Sequence, residues 1–131
     1  MNQTCQLQNI IAEHCAFLDC GDHEAYAGLF SKKGRLIMHD QVMAEGRDAI
    51  REWVATHAMP PGRHVTTNIR IYREGNKARG YSTVLYISSH LTISAVRDYQ
   101  VDFVKRKGTW KISEWRVIQA MPPAVPASPV G

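Results

Sequence analysis

The sequence has no long hydrophobic run and no recognisable export signal, and both absences limit the kind of protein it encodes. No stretch approaches the roughly eighteen apolar residues of a membrane-spanning helix. The start, Met1-Asn2-Gln3-Thr4, lacks the basic and then apolar pattern of a signal peptide. We therefore expect a cytoplasmic protein that has no membrane partner.

Cysteine is scarce, and histidine occurs without the spacing that metal sites use. The three cysteines, Cys5, Cys15 and Cys20, form no Cys-x-x-Cys pair. On a helix Cys15 and Cys20 would point to different sides, so we expect no disulfide between them. The six histidines form neither a His-x-His nor a His-x-x-x-His pair, and there is no glycine-rich phosphate loop. The sequence thus predicts no metal site and no cofactor.

Basic residues outnumber acidic residues only slightly. Sixteen Lys and Arg residues against twelve Asp and Glu residues leave a formal net charge of +4. The basic clusters Lys32-Lys33 and Lys105-Arg106-Lys107 lie beside turn glycines and have no interleaved aromatic residues. This arrangement is typical of a solvated surface, so we expect no nucleic-acid partner.

Apolar residues are abundant enough for one core. Hydrophobic residues make up 44% of the 131-residue chain, a length that favours a single domain. Residues 122–131 contain four prolines and show no periodicity. We therefore predict one domain over residues 1–121, followed by a flexible proline-rich tail.

Helical patterns lie in the first half of the chain. Apolar residues recur at helical spacing over residues 4–18, with Thr4 as the predicted N-cap. Asp22 is a cap for a second short helix that would reach Phe30, and a third helix begins at Gly46 and ends before Met59. A strand is predicted over residues 35–38.

The second half is rich in Val, Ile, Thr and Tyr and predicts four consecutive strands. Short turns separate the strands, which favours an antiparallel meander over residues 64–72, 77–88, 91–105 and 109–120. The predicted class is α+β, with N-terminal helices packed in a strongly curved antiparallel sheet. Such a sheet leaves a cavity at its open end, where we expect the function to lie.

Several motifs occur together in a characteristic order along residues 1–121. They are Leu18-Asp19-Cys20-Gly21-Asp22, Glu45-Gly46-Arg47-Asp48-Ala49-Ile50, residues 63–71 and Gly108-Thr109-Trp110-Lys111-Ile112. Together they resemble the SnoaL-like group of nuclear-transport-factor-2-like proteins. This group includes dehydratases, a dehydrochlorinase, polyketide cyclases and ketosteroid isomerase, as well as domains that only bind ligands or proteins. The resemblance implies a cone-shaped fold and a homodimer formed through the sheet.

In the dehydratase branch of this group, an Asp at the end of the first helix pairs with a His at the start of the first long strand. Asp19 and His64 occupy these places, so the resemblance implies His64 as the general base and Asp19 as the residue that orients it. Imidazole accepts a proton near neutral pH, and a carboxylate on its other nitrogen fixes the tautomer. The implied function is a small cofactor-independent lyase or isomerase, of dehydratase, elimination or cyclase type, acting on a hydrophobic, cyclic, oxygenated molecule.

A plainer interpretation of the same residues stays open. Asp19 at a helix end is also typical of a turn, and His64 after a Pro-Pro-Gly turn simply begins a strand. In that case the protein is a non-catalytic module of the same fold that binds a small molecule or another protein.

Further residues are candidates for substrate binding. His14 lies where several related dehydratases carry a pocket tyrosine, and Asn68 is expected on the same side of its strand as His64. Tyr99 shares a strand face with core residues. For each of them a purely structural place, in the core or at the rim of the sheet, is the alternative.

The last strands depart from the pattern of the group. Val101 occupies a place where relatives often carry an Asp, and alternation turns the neighbouring Asp102 to the other face. Trp115 replaces a pocket arginine, with Arg116 one residue further, and is suited to stack on a flat substrate. The remaining candidates, Tyr26 and Trp53, suit an apolar cavity, although residues at such spacing usually belong to the core.

Overall fold

The computed structural model of the chain describes residues 2–57 and 60–120. Within residues 2–57 the chain forms three helices: α1 (Gln3–Cys20), α2 (His23–Gly28) and α3 (Arg47–Thr56). The Asn2 side chain, 2.8 Å from the backbone nitrogen of Cys5, caps α1, so the predicted cap Thr4 lies in the first turn. The predicted tail, residues 122–131, lies outside the described residues.

The described residues contain six strands in one sheet, β1 (Phe30–Met38), β2 (Gln41–Glu45), β3 (Gly62–Glu74), β4 (Lys77–Ser88), β5 (Ile93–Arg106) and β6 (Thr109–Ala120). Their order across the sheet is β2-β1-β6-β5-β4-β3. Strands β3 to β6 pair antiparallel in sequence order, which confirms the predicted meander. Strands β1 and β6 pair parallel, so the sheet as a whole is mixed.

The first two strands differ most from the prediction. β1 begins at Phe30, and its pairing with β6 is interrupted between Phe30 and Arg35. Gly34 lies in this interruption, where a Cβ atom would come within 2.9 Å of the Cβ atom of Phe30. β2 follows a turn formed by His39 and Asp40, both with positive φ (51° and 59°). Such turns usually contain glycine, and the absence of one hides the hairpin in the sequence.

One face of the sheet is covered by the helices and forms the core. Leu7 and Ile11 of α1 are fully buried, and a Cβ atom at Gly80 of β4 would come within 3.2 Å of Ile11 Cδ1. The pairings of β3 with β4 and of β5 with β6 are interrupted by extra residues in β3 and β6, which is typical of bulges that curve a sheet. The α+β prediction is therefore confirmed, and α1 ends beside the first residues of β3. Within residues 2–57 and 60–120, no helix has the length and apolarity needed to cross a membrane.

Candidate active site

A cavity of about 210 Å³ lies between α1, α3 and the covered face of the sheet. Its wall includes six of the residues predicted from the sequence: His14, Tyr26, Trp53, His64, Tyr99 and Trp115. Two larger surface clefts, about 380 and 700 Å³, have walls that include several lysines and arginines and none of these six residues. The smaller cavity is therefore the candidate site, because it gathers the side chains that can move a proton.

Asp19 and His64 are joined by two hydrogen bonds. Asp19 lies in the last turn of α1, and its Oδ1 accepts from Nδ1 of His64 at 2.5 Å. Its Oδ2 accepts from the backbone N–H of His64 at 2.8 Å, which ties the start of β3 to the end of α1. The two side chains are only 18% and 5% exposed. Because an ionised carboxylate only accepts hydrogen bonds, the proton of neutral His64 lies on Nδ1 and Nε2 is the acceptor.

His64 belongs to the cavity wall, whereas Asp19 is not one of the residues that line the cavity. Because Nδ1 is engaged by Asp19, Nε2 is the ring nitrogen of His64 that is left for contacts within the cavity. Among the described residues Nε2 has no hydrogen-bond partner. The arrangement therefore offers a proton acceptor to whatever occupies the cavity.

The deepest part of the cavity is built from aromatic rings around His14. Nε2 of His14 lies 2.7 Å from the hydroxyl oxygen of Tyr26. The imidazole also stacks on Trp115, with ring centroids 3.3 Å apart and planes 3° apart. Tyr99 meets Trp115 edge-on at 5.1 Å. These contacts form a rigid wall against which a flat ring can pack.

The buried groups in this wall stay uncharged near neutral pH. Burial, and to a smaller extent the nearby His64, hold the pKa of His14 well below its ordinary value of 6.5. Burial likewise raises the pKa values of the Tyr26 and Tyr99 hydroxyls. Nδ1 of His14 is buried without a hydrogen-bond partner in the described part of the chain. His14, Tyr26 and Tyr99 therefore offer the cavity neutral polar groups rather than charges.

The neutral state of His14 predicts a loss of stability in acid. As the pH falls below about 6.5, the unfolded chain protonates His14 before the folded protein does, so the unfolded state binds more protons. The free energy of unfolding should then fall by up to about 1.4 kcal/mol per pH unit from this group. Urea unfolding between about pH 6.5 and 4.5 measures the slope.

The matched variants for this measurement are His14→Gln and His90→Gln. We expect His14→Gln to show a smaller dependence on pH than the wild type, because its side chain takes up no proton. His90 is exposed in the turn between β4 and β5, so His90→Gln should keep the wild-type slope. Equal slopes for His14→Gln and the wild type would contradict the prediction.

Asn68 lies away from the cavity, contrary to the expectation. It occupies the interruption of β3 between Thr67 and Arg70, has a φ of 55° and is exposed. An extra residue in a strand reverses the alternation of side chains beyond it. The even spacing from His64 therefore does not keep Asn68 on the cavity side.

In β5 and β6, the residues that differ from the family pattern point to the faces of the sheet that the alternation of side chains predicted. Val101 is fully buried, while Asp102 is on the other face and pairs with Arg79 at 2.7 and 3.2 Å. Trp115 is buried in the cavity wall, and Arg116 pairs instead with acidic side chains outside the cavity. Among residues 2–57 and 60–120, Asp19 is the carboxylate that forms a hydrogen bond with a side chain of the cavity wall.

Three basic side chains of the cavity wall were not among the predicted site residues. Arg97 lies two residues before Tyr99 in β5, and continued alternation would have found it. His39 lies in the β1–β2 turn, and His57 follows α3 and stacks on Trp53 at 4.3 Å. Their places depend on tertiary packing that no local pattern reveals. Within residues 2–57 and 60–120, no three His, Cys, Asp or Glu side chains are grouped to hold a metal ion.

Comparisons with known proteins identify the family and the fold of this chain. The model of the SnoaL-like domain matches residues 2–116. No curated protein matches the chain. Among solved structures, the protein Rv3472 of Mycobacterium tuberculosis, of unknown function, is 29% identical with a TM-score of 0.77, over 90% of this chain and 71% of that one.

Two further structures from Novosphingobium aromaticivorans share the fold. A nuclear-transport-factor-2-like protein with a cystatin-like fold is 22% identical with a TM-score of 0.75, over 90% of this chain and 82% of its own. A protein provisionally named scytalone dehydratase is 21% identical with a TM-score of 0.70, over 95% of this chain and 91% of its own. At this identity the likeness concerns the fold alone. The chain therefore belongs to the family of SnoaL-like domains and has the nuclear-transport-factor-2-like cone fold that its sequence motifs implied.

Proposed function

We propose that this protein is a cofactor-independent lyase or isomerase that removes a proton from a carbon atom of a small, apolar, cyclic, oxygenated molecule. The observation that carries the proposal is the contact between Asp19 and His64, with Nε2 of His64 left free to face the cavity. Membership of the SnoaL-like family supports the general reaction type.

In this mechanism Nε2 of His64 takes a proton from a carbon next to a carbonyl group. The electron pair of the broken C–H bond forms a new double bond. In an elimination the hydroxyl on the neighbouring carbon leaves with its bonding pair, and the proton from His64 converts it to water. In an isomerisation the same proton returns to another carbon. Either way the ring is an imidazolium for part of the cycle.

Asp19 stabilises that imidazolium. Its Oδ1 is 2.5 Å from Nδ1, and both side chains are largely withdrawn from water. Attraction between opposite charges is larger in such surroundings than in bulk solvent. The carboxylate therefore both orients the ring and lowers the free energy of the charged state that the reaction passes through.

Tyr99 is the candidate donor to the substrate oxygen. Its hydroxyl has no hydrogen-bond partner among the described residues, and Tyr99 lines the cavity. Because burial raises its pKa, the hydroxyl keeps its proton and is able to donate it in a hydrogen bond. A carbonyl oxygen held there would gain support as negative charge develops on it.

The size and walls of the cavity favour a flat molecule of one or two rings. A volume of about 210 Å³ is below the range of roughly 300–1,000 Å³ typical of pockets for drug-sized ligands. Trp115 of β6 and Trp53 of α3 both line the cavity. Both indoles offer apolar surface that a substrate ring can cover.

The test is hydrogen exchange in D₂O. The protein is incubated with a panel of cyclic ketones and hydroxy-ketones, and NMR follows loss of the C–H signals next to the carbonyl and formation of the unsaturated product. We expect at least one compound to react with the wild type and to react about 10²–10⁴-fold more slowly with His64→Gln. His90→Gln is the matched control and should react as the wild type does.

Two outcomes would count against the proposal. Turnover by His64→Gln at the wild-type rate would remove His64 from the mechanism. Compounds that raise the Tm of the wild type without reacting would favour the alternative, a non-catalytic module that binds small molecules in the same cavity.

A further inference from the structure

Arg97 places a permanent positive charge in the cavity wall. It continues the inward-facing row of β5 that Phe103, Val101 and Tyr99 form, and it is half-buried. Its neighbour across the ladder, Val84 of β4, is 2% exposed. The guanidinium group is thus attached at the boundary between the core and the cavity rather than on the outer surface.

No acidic side chain of the protein neutralises Arg97. All twelve Asp and Glu residues of the sequence lie within the described ranges, and none of them forms an ion pair with it. The adjacent Asp98 accepts a hydrogen bond from Thr83 at 3.1 Å instead. A cation partly removed from water without an internal partner is costly, and a bound anion would offset that cost.

The rest of the cavity wall does not compete for the guanidinium group. Among the described residues, neither Asp nor Glu lines the cavity. The carboxylate of Asp19 does not line the cavity and is already engaged by two hydrogen bonds from His64. Arg97 also acts on Tyr99, since its positive charge counteracts part of the rise in the Tyr99 pKa that burial causes. A negative group in the cavity would therefore bind at the Arg97 end.

The two ends of the cavity are far enough apart to act on different parts of one molecule. His64 of β3 pairs with Tyr86 of β4, which pairs with Ala95 of β5, and Arg97 lies two residues beyond Ala95. Two strand spacings and two residues of rise separate the Cα atoms of His64 and Arg97 by roughly 12 Å.

We propose that the substrate carries a carboxylate, which Arg97 binds while His64 faces the carbon to be deprotonated at the other end of the molecule. A guanidinium group binds a carboxylate through two parallel N–H···O hydrogen bonds, which also fixes the orientation of the ligand. The identity of the reacting end rests on the proposed function, whereas the binding of an anion does not. The substrate class is a cyclic carboxylic acid with its oxygenated carbons away from the carboxylate.

The test compares an acid with its uncharged analogue. Isothermal titration calorimetry near neutral pH measures the Kd of 1-naphthoate and of 1-naphthalenemethanol for the wild type. We expect 1-naphthoate to bind at least about tenfold more tightly, in keeping with a charge-assisted pair. In Arg97→Gln this preference should vanish, with the Kd of the alcohol unchanged.

The control variant is Arg63→Gln. Arg63 is exposed in β3 and does not line the cavity, so this change removes the same charge from the protein without touching the site. We expect Arg63→Gln to keep the wild-type preference for 1-naphthoate. Because Arg97 forms no ion pair, Arg97→Gln should also keep the wild-type Tm, which separates a binding defect from misfolding.

Three results would overturn this inference: equal binding of the acid and the alcohol by the wild type, no binding of 1-naphthoate, or a preference that survives in Arg97→Gln. The proposed function fails differently. If no ketone reacts but the preference depends on Arg97, anion binding stands and catalysis by His64 does not. If a neutral ketone reacts through His64 and the preference for the acid is absent, catalysis by His64 stands and anion binding by Arg97 does not.

Discussion

Asparagine in place of Asp19 is expected to lower kcat by about 10²–10⁴-fold, with KM close to that of the wild type. The amide keeps the size of the carboxylate but carries no charge, so the imidazolium of His64 loses the anion 2.5 Å from its Nδ1. If the amide nitrogen turns toward Nδ1, the proton moves to Nε2 and the base cannot accept another. The measurement is the steady-state rate with a ketone that reacts in the exchange experiment.

Asp22→Asn is the matched control for this variant. Asp22 is three residues further along the chain, and its side chain accepts from the backbone nitrogen of Ala25 at 3.1 Å to cap α2. Asparagine caps helices as well as aspartate, and the change in net charge is the same. We expect Asp22→Asn to keep the wild-type kcat. If Asp19→Asn also kept it, Asp19 would serve only to fasten α1 to the start of β3.

The parts of the fold that could be predicted from the sequence are those with local signals. Long β-branched runs separated by short turns predicted β3 to β6 to within a few residues. The parallel pairing of β1 with β6 joins segments far apart in the chain, and no turn connects them, so no local pattern reveals it. The hairpin into β2 was missed because His39 and Asp40 adopt positive φ without a glycine.

The candidate site depends more heavily on tertiary structure. Asp19 and His64 are 45 residues apart, and only the resemblance to a family suggested that they meet. Alternation of side chains along β5 correctly placed Val101 and Asp102 on opposite faces of the sheet. The same rule would have predicted that Arg97 faces the cavity, because the pairing of β5 with β4 has no interruption between Val101 and Arg97. The same rule failed for Asn68 because β3 contains an extra residue there.

Alanine in place of Trp115 is expected to have the largest effect on stability. The indole is 1% exposed, stacks on His14 at 3.3 Å and meets Tyr99 at 5.1 Å. Its removal would enlarge the cavity and leave its neighbours without packing partners, which should lower the free energy of unfolding by about 3–5 kcal/mol. For a domain of this size the Tm should fall by on the order of 10–20 °C. Urea and thermal unfolding followed by circular dichroism measure both quantities.

Trp53→Ala is the control, since it deletes the same side chain from a half-buried position in α3. Trp53→Ala should lower the free energy of unfolding by clearly less than Trp115→Ala does, because part of the Trp53 indole is already in contact with water. Trp115→Phe should recover much of the stability lost in Trp115→Ala by keeping a ring against His14. Equal losses for the two alanine variants would mean that Trp115 is packed no more tightly than Trp53. The ring stack around His14 would then not be the rigid wall on which the orientation of a substrate toward His64 depends.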